Sequence, residues 1–272
     1  MSHIRVNNIV VCRPRERGYS MIELSVALVI ALFLLQGLFT ILQNTRNAST
    51  NQNQLAQLQD QQRMSMTMLT DVIQQAGYYP GAYTTPAATA LPATALFTTA
   101  GQYITGSVNT ATYGDQISVR YQGDATGSVL DCLGSVIPNG TTREMTFKVT
   151  QVNNEPKGLY CSTDGGTTFV PLIPNVTKMT VTYGVDSSAT TSTNAYLTAA
   201  QVGAGTFWSN VLSVKVALLF GNPLYGQPGQ TDPAKQNLPF NRVIAVLSKT
   251  GTNAVTIDGT EADPVTGNPI TH

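Results

Sequence analysis

Three regimes of hydrophobic patterning follow one another along the chain. Met21 to Leu42 is almost wholly apolar, broken by Glu23, Ser25, Gln36 and Thr40. As a helix at ~1.5 Å per residue this run spans about 33 Å, enough to cross a hydrocarbon core. Beyond it, Gln43 to Ala76 carries apolar residues at Leu55, Leu58, Met66, Leu69, Ile73 and Ala76, with Gln62 in the remaining seam position and Gln and Asn on the other faces. Spacings of three and four make one stripe, so the helix is expected to continue as an amphipathic one. Gly77 suits a left-handed C-cap and Pro80 forbids continuation. A helix from Tyr19 to Ala76 would be about 87 Å long, too long for one compact domain to cover, so its apolar half is expected to find partners elsewhere.

The third regime has period two. Gln116–Tyr121, Glu144–Val152, Val176–Val185, Leu212–Phe220 and Arg242–Ser248 are rich in Val, Thr, Ile, Tyr and Phe, and alternation in them predicts half-buried antiparallel strands. Asp164-Gly165-Gly166 is placed to turn a hairpin between Leu159-Tyr160-Cys161 and Thr168-Phe169-Val170, with further turns at Pro138-Asn139-Gly140 and Asn153-Asn154-Glu155-Pro156. Between helix and strands, Tyr78 to Gly114 is rich in Thr, Ala, Pro and Gly and reads as an exposed connection with short elements at most. The expected fold is α+β, a long N-terminal helix packed through its amphipathic half on an antiparallel β-sheet domain. Five segments result: a basic leader (1–18), the apolar half of the helix (19–45), its amphipathic half (46–77), the connection (78–114) and the β-rich domain (115–272).

Charge changes this picture at one end only. Of 15 basic and 15 acidic residues, Arg5, Arg13, Arg15, Arg17 and Glu16 lie in the leader, leaving 11 basic and 14 acidic, a net charge of −3. A basic leader stays on the cytoplasmic side and directs the C-terminal mass outward. No basic block remains afterwards, so nucleic acid is not indicated as a partner. Chemistry is sparse as well. His3 and His272 are the only histidines, which leaves no Ser-His-Asp or Cys-His set in the body of the chain. Walker, dinucleotide and EF-hand signatures are missing too, and neither enzyme activity nor a cofactor is expected. Asp124, Asp131, Asp164 and Asp186 could include a calcium ligand or a glycosidic carboxylate pair, but their turn-like contexts favour solvated turns. Trp208, beside Phe207, is read as packing before a strand, with an exposed binding aromatic as the alternative.

Glu23 is a carboxylate one turn inside an uncharged run, where an ionisable group costs up to about 3 kcal/mol at mid-membrane. Ser20-x-x-Glu23 has capping-box spacing, and a Glu near the positive helix end is favourable by itself. Arg17-Gly18-Tyr19-Ser20-Met21-Ile22-Glu23 ahead of the apolar run also resembles the N-terminus of type IV prepilins, and the two readings are compatible. The apolar core has no convincing Ala-x-Ala site after it, so its removal as an ordinary secretory signal is not expected. The resemblance implies that a membrane peptidase cuts between Gly18 and Tyr19 and methylates the amine of Tyr19. It further implies that Glu23 pairs with the N-terminal amine of a neighbouring subunit. That family usually has Phe at the first mature position; Tyr19 keeps the ring and adds a hydroxyl.

With the leader goes Cys12, which leaves Cys132 and Cys161 as a pair in an oxidising compartment, where they are expected to form a disulfide. Two buried free thiols are the alternative; a metal site lacks Cys-x-x-Cys spacing and histidine.

Several later segments resemble PilW-like minor pilins in the same order. They are Met68 to Tyr78, Asp131-Cys132-Leu133-Gly134, Leu159-Tyr160-Cys161, Met179 to Asp186 and Trp208 to Val216. The resemblance implies a minor pilin that primes or caps a type IV pilus. Its partners would be other major and minor pilins, the prepilin peptidase and the inner-membrane assembly machinery. It would sit in the bacterial inner membrane with its C-terminal domain periplasmic, then move to the pilus and the cell exterior. A minor pseudopilin of a type II secretion system, or a tip adhesin or DNA-uptake module, are the alternatives. Metal and cofactor are none in each case.

Overall fold

The computed structural model describes residues 18–108, 113–152, 155–188 and 192–250. The leader up to residue 17, the Asn153-Asn154 turn and the segment from 251 on lie outside the described residues. Two compact units result, one ending at Asn53 and one beginning at Gln54.

One helix, α1 (Met21–Gln74), runs through both. Within the second unit it buries Leu58, Ser65, Met66, Leu69, Val72 and Ile73, so the predicted stripe is the face that packs, widened by Ser65 and Val72. Gly77, at φ 80°, ends the helix as expected, because the left-handed conformation carries no Cβ penalty in glycine. Its N–H donates to the Arg120 carbonyl at 2.9 Å, so a strand supplies the cap.

Among the described residues, nine strands form two antiparallel sheets where the pattern had suggested one. The first has the order β1 (Ile104–Ser107), β2 (Gln116–Gln122), β3 (Thr142–Thr150), β4 (Gly158–Ser162) and β5 (Val170–Pro174). Each strand pairs with its neighbour in sequence, and the predicted hairpin closes with Cys161 opposite Val170. The second sheet is ordered β7 (Ala195–Leu197), β6 (Val176–Val185), β8 (Val211–Gly221), β9 (Asn237–Ala245). The strand expected at Arg242–Ser248 therefore lies earlier, and Leu247–Thr250 is a helical turn. Two further short helices, Ala87–Ala90 and Ala199–Ala204, flank the strands; the second starts in a complete capping box between Thr198 and Gln201.

The sheets meet where β6 crosses β2, β3 and β4. Ahead of β2 the chain is stitched to β6: Met179 N–H donates to the Tyr113 carbonyl, Asp115 N–H to the Met179 carbonyl, and Val181 N–H to Asp115 Oδ2. A Cβ on Gly114 (φ 89°) would lie 1.9 Å from the Met179 oxygen, so this approach admits glycine alone.

Strand β2 departs most from expectation. Ile117, Val119 and Tyr121 are buried as alternation predicts, but so are Ser118 and Arg120. The cause is the Pro/Thr/Ala-rich connection, which covers the second face of β2 with Leu91 and Phe97, both buried. Arg120, fully buried, organises that cover. Its guanidinium donates to the carbonyls of Leu91, Pro92, Thr99 and Gln102 and lies 4.6 Å from the Phe97 ring centroid, with Glu144 at 4.0 Å. Burial lowers its pKa and Glu144 opposes that shift. A guanidinium is suited to this position because its fork of donors reaches several carbonyls at once while its charge is poorly hydrated.

Cys132, on the loop after β2, is disulfide-bonded to Cys161 of β4 with Cα atoms 6.5 Å apart. The bond pins a loop that is also tied to β2 through the Tyr121 hydroxyl, which donates to the Leu130 carbonyl, and is shaped internally by Asp131, whose carboxylate accepts from the N–H groups of Leu133 and Ser135.

Replacing Arg120 with Ala is expected to destabilise the full chain by about 3–5 kcal/mol, since four carbonyls, two of them buried, lose their donor and a cavity opens. Arg120→Lys is expected to restore less than half of that, as an ammonium cannot span the four acceptors. Urea titration of the detergent-solubilised protein, read by the fluorescence of its single tryptophan, Trp208, measures both. Removing the 29-residue cross-link with Cys132→Ala and Cys161→Ala is expected to lower stability in the same assay by about 3.5 kcal/mol.

Candidate assembly site

The prepilin-like residues open the first unit. Gly18 is exposed, and a Cβ built on it meets nothing within 4 Å; Tyr19 is 85% exposed. The peptide bond between them is thus sterically open. Helix α1 starts two residues later, with the N–H groups of Glu23 and Leu24 both donating to the Ser20 carbonyl at 3.0 and 3.2 Å. Glu23 lies in the first turn, where unsatisfied amides and the helix dipole favour an anion by about 0.3–1 kcal/mol. A carboxylate so placed can accept a cationic hydrogen-bond donor.

The rest of this unit is a helix whose apolar run is exposed among the described residues. Every large apolar side chain from Met21 to Leu42 is at least 46% exposed, and the segment is long and apolar enough to cross a membrane. Its polar residues turn inward on the helix itself. Ser25, Thr40 and Thr45 donate their hydroxyls to the carbonyls of Ile22, Gln36 and Ile41. Back-bonding of this kind removes donors that lipid could not satisfy, so the run is polar only at Glu23 and at the Gln36 amide. Such a surface associates by close packing and by pairing its few polar groups.

The other sequence candidates lie in the second unit and do not converge. Asp124 accepts from Thr126, Ser128 and the Ser128 N–H, and Asp164 from Ser162 and the N–H groups of Thr167 and Thr168. These bonds hold both carboxyls below the usual carboxylate range. Asp131 and Asp186 depart from the expectation of solvated turns, being 7% and 6% exposed. They still cap local N–H groups, Asp186 that of Ser188. Among the described residues no three His, Cys, Asp or Glu side chains come together as a metal site would need.

Trp208 is half-buried and meets the buried Tyr183 ring edge-to-face at 5.0 Å. Arg120 was not singled out by sequence pattern. The one available signal was a charge between Val119 and Tyr121, mid-strand, in a chain only 11% charged.

No curated protein matches the chain, and no solved structure does. Residues 141–249, from the start of β3 to the end of the described region and so short of the N-terminal helix, match the family model described as Type IV Pilus-assembly protein W, which relates the β-domain to type IV pilus assembly.

Proposed function

We propose that this chain is a minor pilin, a non-catalytic structural component that primes or caps a type IV pilus. The observation that carries the reading is one helix with two kinds of surface. From Leu58 on α1 buries its apolar stripe in the β-domain, whereas from Met21 to Leu42 it exposes every large apolar side chain with a carboxylate in its first turn. The match of residues 141–249 to type IV pilus-assembly protein W supports the pilus over other filaments.

In this reading the prepilin peptidase cuts between Gly18 and Tyr19 and the new amine of Tyr19 is methylated. The helix first spans the inner membrane with the β-domain periplasmic. It then packs among the helices of other major and minor pilins, delivered by the inner-membrane assembly machinery. Glu23 pairs with the amine of a neighbour. That pairing sets axial register, because in any other register a carboxylate stays unpaired in an apolar bundle. No cofactor enters at any step.

Two measurements test this. Intact mass with N-terminal fragmentation of membrane-derived protein is expected to show a chain beginning at methylated Tyr19; a chain retaining Met1 to Gly18, or one cut beyond Leu42, would remove the central step. Glu23→Ala is expected to reduce the protein recovered in sheared filaments about 10-fold or more while its membrane level holds. Undiminished recovery would show that register is set without this carboxylate.

A further inference from the structure

Away from the helix, two segments distant in sequence line a cleft of about 340 Å³. The connection supplies Thr98, Thr99 and Gln102, and the turn between the Ala199–Ala204 helix and β8 supplies Thr206, Trp208 and Ser209. Its size falls at the lower end of the roughly 300–1,000 Å³ typical of small-molecule sites. Three features point to a ligand class.

The lining bears no charge. Ions and phosphates, which are recognised by charged clamps or fields, therefore find nothing here. Its polar groups are also uncommitted: among the described residues, the hydroxyls of Thr98, Thr99 and Thr206 and the indole N–H of Trp208 make no hydrogen bond. By contrast, the Gln102 amide donates to Ile104 O and accepts from Thr99 N–H, and the Ser209 hydroxyl donates to Asn210 Oδ1. Gln102 thus serves as a rigid floor and the threonines and indole as the variable surface.

The aromatic member is preoriented. Trp208 packs edge-to-face on fully buried Tyr183. It follows Thr206, whose φ of 56° is left-handed for a residue with a branched Cβ. A Cβ at Gly205 would lie 2.2 Å from the Phe207 ring, so glycine there leaves room for that ring to fold back over the turn. Backbone strain of order 1–3 kcal/mol, kept beside an aromatic platform, is the kind of cost that binding sites retain.

We infer that this cleft binds a neutral saccharide, one pyranose face lying on the Trp208 indole and the sugar hydroxyls exchanging hydrogen bonds with Thr98, Thr99 and Thr206. A sugar ring has an apolar C–H face and a rim of groups that both donate and accept. A neutral cleft with one aromatic plate and freely rotating hydroxyls complements both. Binding here needs no part of the N-terminal helix, so it and filament assembly can fail separately.

The single tryptophan makes the site self-reporting. The full-length protein in a non-glycosidic detergent is titrated with lactose, maltose and N,N′-diacetylchitobiose, and with 3′-sialyllactose and a heparin disaccharide as anionic comparisons. At least one neutral disaccharide is expected to shift Trp208 emission saturably, with Kd on the order of 1 mM or tighter. Thr99→Ala and Thr206→Gly are each expected to weaken it about 5- to 10-fold. Thr206→Gly suits the positive φ, and an unchanged thermal transition would confirm that both variants fold. Trp208→Phe, followed by saturation-transfer NMR because it removes the fluorophore, is expected to lose binding by a similar factor. No saturable response to any of the three, a response undiminished in the threonine variants, or equal binding of the anionic sugars would each overturn the assignment.

Discussion

The β-domain depends on how one buried cation is satisfied. Arg120 sits in the middle of β2 with no exposed surface, a position where a charge is tolerated only when every donor finds an acceptor. It finds them in a segment that has almost no regular structure. The carbonyls of Leu91, Pro92, Thr99 and Gln102 converge on the guanidinium, so the connection gains from a side chain the order that a hydrogen-bonded ladder supplies elsewhere. The same residue uses its backbone in both directions, donating to the Tyr103 carbonyl and accepting from Gly77 N–H at the end of α1. Helix end, connection and sheet are thereby tied to one point in the chain.

That arrangement shapes the functional surfaces too. Thr98, Thr99 and Gln102 stand where they do because Arg120 holds the Thr99 and Gln102 carbonyls from beneath. The cleft beside Trp208 is consequently built on a fixed floor, as a preformed site requires. The disulfide between Cys132 and Cys161 does comparable work for the loop after β2, where Leu130, Leu133 and Val136 remain exposed. Loops with little secondary structure are positioned in both places by a few strong links to strands.

Helix α1 shows how one element can serve two environments through side-chain choice alone. Its backbone hydrogen bonding is continuous from Met21 to Gln74. What changes is the distribution of apolar residues: all round from Met21 to Leu42, then confined to a stripe. An all-round apolar surface with hydroxyls folded back on its own carbonyls suits lipid or a bundle of like helices; a stripe suits a sheet face. Glu23 is the exception in the first stretch, a carboxylate in the first turn with no ion pair among the described residues, and under the proposed function it is the group that would select partner and register.

Much of this was legible without coordinates. The length of the apolar run, the stripe from Leu58 to Ala76, the stop at Gly77 and the strands around Met145, Met179 and Val214 are periodic or local features, and periodicity is a property of neighbouring residues. The resemblance to prepilins is likewise a reading of neighbouring residues, contiguous from Arg17 to Glu23. Tertiary structure alone decided the rest. Period-two alternation states that a strand has two faces, not what covers each, so neither the division into two sheets nor the burial of Ser118 and Arg120 could be read from β2. The connection carries no periodic signal because its backbone is satisfied by a distant guanidinium, and that choice exists only once residues 91 to 102 and residue 120 have met in space.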